Sequence, residues 1–298
     1  MEWSREKLIT KCTSCTKSRI WELDFARGIC LILMIIDHLM YNLATTFSFL
    51  SYSNFGRVLT TFANTYVYSS LRAVGWPIAV GVFTLLCGIS TGLSRNNLLR
   101  GLRLLFLSYT ITFVLSLSDV VLDTRMAINF GVLHTLAFCV LIYTLTTNNC
   151  KRIKIYDKKS ITITLQDVML SILTIFAFYI TLCNGVPVRS DSLNPVYSSL
   201  GEVGIYEYYT FALGVNRNLL LSTDYIPLLP WLGVFSFGCI ISTRFYPDKK
   251  SLFESRSALN KSFISKLGRK SLLVYIVHQP IIYLLLGLLS LIVTGRFI

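Results

Sequence analysis

Long apolar runs recur along this chain, and short polar connections separate them. Seven segments stand out, at residues 24–47, 76–93, 104–117, 130–147, 165–183, 225–243 and 272–293. A bilayer-spanning helix needs about 20 apolar residues, with a range near 17–25. The third segment is short by that measure, although Ser and Thr can bond to their own helix backbone and extend it. The pattern predicts an all-α polytopic transmembrane helix bundle of about seven spans. Pro77 is expected in the first turn of the second span, where its missing N–H costs nothing. Between the first two spans, "NFGRVLTTFANTYVYSSLR" reads as an amphipathic helix at the interface.

Composition agrees with the pattern. Of the 298 residues, 53% are hydrophobic and 14% charged, against about 25% charged in soluble domains. The chain is an integral membrane protein in a lipid bilayer. The positions of its charges then decide orientation. Lys and Arg number 21 in the first, third, fifth and seventh polar stretches and 6 in the others, with Arg27 inside the first span. Basic loops face the cytoplasm. This predicts a cytoplasmic N-terminus, an outward C-terminus after seven spans, and a multi-pass place in the cell membrane. The net charge of +13 is thereby an orientation signal and not a nucleic-acid footprint. The simplest parse is a basic tail over 1–19, with no cleavable signal peptide expected, and one membrane domain over 20–298. Cys12 and Cys15 form a lone CxxC with no second Cys/His pair at zinc spacing, so no metal is expected. Cys30, Cys87, Cys139 and Cys239 lie inside apolar segments and read as small packing residues.

Some polar residues interrupt the apolar runs. "RGICLILMIIDHLM", residues 27–40, carries an arginine, an aspartate and a histidine where a plain span would carry leucine. A charge at the centre of a bilayer helix costs about 2.5–3.5 kcal/mol even on lenient scales. At 100° per residue, Arg27 and His38 share one face about 16 Å apart along the axis, with Asp24 and Asn42 within about 60° of the same line. Asp37 points about 100° away from His38, so the two are not paired by adjacency. Such a stripe should face protein or a water-filled cavity. All three histidines of the chain lie in or beside apolar segments: His38, His134 near the outer start of the fourth span, and His278 within the last. Pro280 frees the carbonyl of Ile276 and places a kink beside His278 and Gln279.

At these residues the chain resembles a known family. "RIWELDFARGICLILMIIDHLMYNL" is similar to the opening of small prokaryotic membrane proteins grouped with the heparan-alpha-glucosaminide N-acetyltransferase catalytic domain. "FTLLCGISTGLS", "NFGVLH", "DYIPLLPWLGVFSFG" and "LGRKSLLVYIVHQP" resemble later motifs of that family, in the same order. Arg27 and His38 also resemble the arginine–histidine motif of the wider transmembrane acyltransferases. The resemblance implies transfer of an acyl group, usually acetyl, from cytoplasmic acyl-CoA to a sugar or glycan acceptor on the far side. It implies acetyl-CoA as donor and places His38 at the family's histidine position.

The chemistry is consistent with those residues. A thioester yields to a hydroxyl or amine when a base takes the nucleophile's proton, and imidazole suits that task. Direct attack by imidazole, giving an acyl-histidine, is the alternative. His38, His134 and His278 are the candidates. The anionic donor needs cations at the inner mouth, where Arg27, Arg100, Arg103, Arg269 and Lys270 are available. Asp24, Asp37, Asn42 and Gln279 are the structural polar candidates. The competing reading is a polytopic transporter of a small polar or anionic solute, with the stripe lining its path. Acceptor identity and acyl chain length stay open, as does a homo-oligomer.

Overall fold

A computed structural model describes residues 19–94, 96–122, 128–150, 154–158, 161–184, 212–213, 225–253 and 257–295. The basic tail with Cys12 and Cys15, residue Arg95, and Asp191, Glu202 and Glu207 of the long outer connection lie outside them. Ten helices are described: α1 Trp21–Ala44, α2 Asn54–Val67, α3 Ser70–Leu93, α4 Asn97–Leu122, α5 Val132–Cys150, α6 Leu165–Asn184, α7 Leu228–Phe245, α8 Ser257–Lys261, α9 Phe263–Arg269 and α10 Ser271–Thr294. An antiparallel hairpin of β1 Lys154–Lys158 and β2 Ile161–Thr164 joins α5 to α6.

Each of the seven apolar segments falls on one long helix: α1, α3, α4, α5, α6, α7 or α10. Among the described residues, four helical stretches are long and apolar enough to cross a membrane, namely Ser70–Leu93, Asn97–Val121, Leu228–Phe245 and Ser271–Thr294. The apolar stretches of α5 and α6, Val132–Thr147 and Leu165–Tyr179, are shorter. The outward surface of α4 is greasy: Phe106, Phe113 and Val120 are 78%, 69% and 83% exposed. Water tolerates no such continuous apolar face, whereas acyl chains require one. The molecule is an all-α membrane bundle.

Two boundaries depart from the pattern. The third span is not short, because α4 runs 26 residues from Asn97 and carries Arg100 and Arg103 in its first two turns. Pro77 is not in a first turn. The Ser69 side chain accepts from the Arg72 N–H and starts α3 at Ser70, so Pro77 lies in its second turn and leaves the Ala73 carbonyl without a helix donor. The interface segment forms the helix α2, which buries Gly56, Thr60 and Ala63 and turns Phe55, Val58 and Phe62 outward.

Close backbone contacts fix the frame that holds the polar stripe. A Cβ on Gly28 of α1 would meet the Ile264 carbonyl at 2.0 Å, and one on Gly268 of α9 would meet the Asp24 carbonyl at 1.7 Å. Residues leading into α10 are thereby pressed against the start of α1. Gly88 of α3 and Gly238 of α7 approach each other's helices in the same way. Small residues permit this in lipid, where packing replaces the hydrophobic drive between helices. One apolar cluster joins α5, α6 and α7 through Cys139, Val140, Leu170, Phe235 and Cys239. A second joins α1 to α10 through Leu43, Phe47, Ile282 and Leu286.

Candidate active site

The stripe on α1 meets a different neighbour at each depth. Near its start, Arg27 donates to the Asp24 carboxylate at 2.7 Å and to the Ser90 hydroxyl of α3. Arg19 adds a long contact to Asp24 at 3.9 Å. Further along, Asn42 donates through Nδ2 to Oε1 of Gln279 on α10 at 3.0 Å. Between these levels His38 meets His278. Their ring centroids lie 5.0 Å apart with planes at 64°.

Both imidazoles are held in the same tautomer. Nδ1 of His38 lies 2.9 Å from the Met34 carbonyl, and Nδ1 of His278 lies 2.6 Å from the Tyr275 carbonyl. A carbonyl only accepts, so each Nδ1 carries the proton. In the neutral rings the basic lone pair is on Nε2. His278 is buried and His38 half-buried, so His38 is the ring with room beside it.

His134 is built differently. It is the third residue of α5, and its Nδ1 accepts from the Gly131 N–H at 3.3 Å. A third-position side chain bonding back to the residue before the helix is a capping geometry. The proton is then on Nε2, which points at the Thr112 hydroxyl 3.4 Å away, and that hydroxyl donates to the Ile128 carbonyl at 2.6 Å. Tyr109 packs edge-on to the ring at 4.9 Å, and Phe130 stacks on it at 5.5 Å. A cavity of about 30 Å³ adjoins it, lined in part by Thr112, Gly131 and Tyr275. Tyr275 also touches His278, with ring centroids 5.6 Å apart, so one side chain separates His134 from the histidine pair.

Asp37 belongs to a second buried constellation. Arg72 grips its carboxylate with a two-pronged fork, Nε at 2.5 Å and Nη2 at 3.2 Å, and the Tyr66 hydroxyl donates at 3.3 Å. Arg72 also lies over the Tyr41 ring, 5.6 Å from its centroid. The charge pattern puts Arg72 among the outer-loop cations; in the fold it is a buried partner, 6% exposed. The signal that could have found it is Asp37 itself, since a carboxylate amid an apolar run requires a cation.

The five donor-side cations are also sorted. Arg100 is half-buried in the first turn of α4. No carboxylate pairs with Arg100 among the described residues. Arg269 is spent on its own segment, donating to the carbonyls of Ser265 and Asn260 at 3.3 and 2.9 Å. Arg103 and Lys270 are exposed. Among the described residues no cluster of three or more His, Cys, Asp or Glu side chains could hold a metal ion.

The bundle thus brings two imidazoles into ring contact on the polar stripe of α1. The comparison with known families names the class more closely. Residues 19–280 match the family described as heparan-alpha-glucosaminide N-acetyltransferase, catalytic, and the chain belongs to that family of membrane acetyltransferases. No curated protein and no solved structure matches the chain.

Proposed function

We propose that this protein transfers an acetyl group from cytoplasmic acetyl-CoA to a sugar or glycan acceptor reaching the bundle from the opposite side. The observation that carries the reading is the His38–His278 contact at 5.0 Å, with both Nδ1 atoms tied to carbonyls and Nε2 left as the basic atom of each neutral ring. His38 acts as the base. Its Nε2 takes the proton of the acceptor's hydroxyl or amine while the acceptor's oxygen or nitrogen bonds to the acyl carbon. The C–S bond breaks, and the proton ends on sulfur as free coenzyme A thiol. If imidazole itself attacks, the same atoms balance through a transient acyl-His38.

The 21-to-6 distribution of basic residues supports a cytoplasmic start for α1. With that orientation Arg27 and Arg100 stand at the inner end of the stripe and receive the donor's phosphates. Charge-assisted bonds from guanidinium to phosphate are strong and directional. His38 lies about 16 Å further along the axis, close to the reach of an extended pantetheine arm. The decisive measurement is release of coenzyme A thiol from acetyl-CoA by the purified protein with glucosamine as acceptor, using His38→Ala as control. Turnover by the parent that the variant lacks is the expected result; equal rates for the two overturn the assignment of His38.

A further inference from the structure

We infer that the seam between α1 and α10 is the track of the acceptor, and that Asn42 and Gln279 are its hydroxyl-reading residues: the sugar that reaches His38 replaces their mutual hydrogen bond with bonds to its own hydroxyls. The inference rests on the acyl-transfer reading above and deepens it by naming the residues that hold the acceptor.

The chain from α9 into α10 meets α1 in two different ways. Near the start of α1, backbone lies on backbone, with Gly28 against Ile264 and Gly268 against the Asp24 carbonyl. From His38 onward the contact passes through pairs of polar side chains. His38 meets His278, Asn42 donates to Gln279 at 3.0 Å, and the hydroxyls of Thr46 and Tyr283 lie 3.5 Å apart. His38 and Asn42 are one turn apart on α1, and Gln279 and Tyr283 are one turn apart on α10. The three pairs are therefore successive rungs, spaced over about 12 Å. Beside them Leu43, Phe47, Ile282 and Leu286 already pack the two helices together, so the rungs are not what fastens α10 to α1.

The chemistry of the rungs matches a polyol. A carboxamide has two N–H donors and two carbonyl lone pairs. The Asn42–Gln279 bond uses one donor of the first and one lone pair of the second. What is left, with the two hydroxyls of the next rung, is a row of neutral groups that both give and take hydrogen bonds, as sugar hydroxyls do. Asn42 is 4% exposed, so a ligand reaching it displaces Gln279 and not bulk water. The Thr46–Tyr283 rung is the loosest, since hydroxyl pairs normally close to about 2.5–3.0 Å. With α1 starting at the cytoplasm, that loose rung is at the outer end, and the row leads inward from it to the half-buried ring of His38. An acceptor entering there passes Thr46 and Tyr283, exchanges hydrogen bonds with Asn42 and Gln279, and presents its hydroxyl or amine to His38.

Interhelical amide bonds in lipid also serve as glue, so affinity for the acceptor has to be separated from stability. Thiol release from acetyl-CoA is followed at varied glucosamine for the full-length parent, Asn42→Leu, Gln279→Leu, the Asn42→Leu/Gln279→Leu double variant and Tyr283→Phe. Melting temperature and calorimetric affinity for acetyl-CoA are recorded for each. A single leucine leaves the other carboxamide buried without its partner and should lower the melting temperature, whereas the double variant removes both and should recover it. The KM for glucosamine should instead rise about tenfold in each single variant, as the loss of one hydrogen bond requires, and should be highest in the double variant, with acetyl-CoA affinity near that of the parent. Helix glue alone makes the opposite forecast, in which the KM of the double variant returns to the parental value together with its melting temperature; that result overturns the inference. Tyr283→Phe removes only a hydroxyl and keeps the packing, so it reads the track even where the double variant folds poorly. Its KM for glucosamine should rise about two- to threefold, and a parental value there also overturns the inference. A parent that releases no thiol with glucosamine refutes the acyl-transfer reading and the inference with it, whereas an active parent with unshifted variants refutes the inference alone.

Discussion

His134 and the His38–His278 pair are made of the same side chain in the same bundle, yet their protons sit on opposite nitrogens. A backbone N–H points at Nδ1 of His134, which makes that atom an acceptor and commits Nε2–H to Thr112. A backbone carbonyl faces Nδ1 of His38 and of His278, which makes those atoms donors. The backbone atom in front of the ring thus decides whether the imidazole finishes a helix start or keeps its basic lone pair on Nε2. Burial does not separate the two roles, since His134 and His278 are both buried, at 2% and 7% exposure.

The comparison can be broken at its frame first. Replacing Arg72 by Met leaves the Asp37 carboxylate buried without its cation. Removing one partner of a buried pair costs about 3–5 kcal/mol, so the variant should lose most of its folded yield, and thermal unfolding in detergent will read the loss. Asp37→Asn combined with Arg72→Met should recover part of it. Next in size is His38→Ala, expected to lower turnover by about 100-fold or more while leaving donor affinity and melting temperature unchanged. Arg27→Ala should weaken acetyl-CoA binding by about tenfold, in line with the loss of one charge-assisted bond; calorimetric titration is the check. The smallest effect belongs to His134→Ala. It removes a helix-start bond of about 1 kcal/mol, so the melting temperature should drop by a few degrees with turnover nearly intact. A catalytic collapse in His134→Ala at normal stability would erase the distinction drawn from the tautomers.

The spans were legible because lipid leaves little choice: a helix crossing it needs a long apolar run, and all seven such runs lie on helices. Their ends were harder to read. At α3 a serine cap carries the helix upstream past Pro77, and at α4 Arg100 and Arg103 sit inside the helix, where their long apolar stems can lie along the bundle. The polar stripe could be traced by counting along one helix, since periodicity relates residues of a single element. The partner of each polar residue could not be counted in this way. Asn42 meets Gln279 across 237 positions, and Arg72 reads as a topology charge until α2 and α3 fold it back onto Asp37. Tautomers were illegible altogether, because they depend on which backbone atom a neighbouring turn presents.

The contact of α10 with α1 has a consequence for biosynthesis. Ribosomes add about 5–20 residues per second, so the 237 positions that separate Asn42 from Gln279 take roughly 10–50 seconds to make. For that interval His38 has no partner ring, and the nascent chain carries its arginine–histidine stripe with one side uncovered. The ring contact waits for α10, the last described helix to be synthesised.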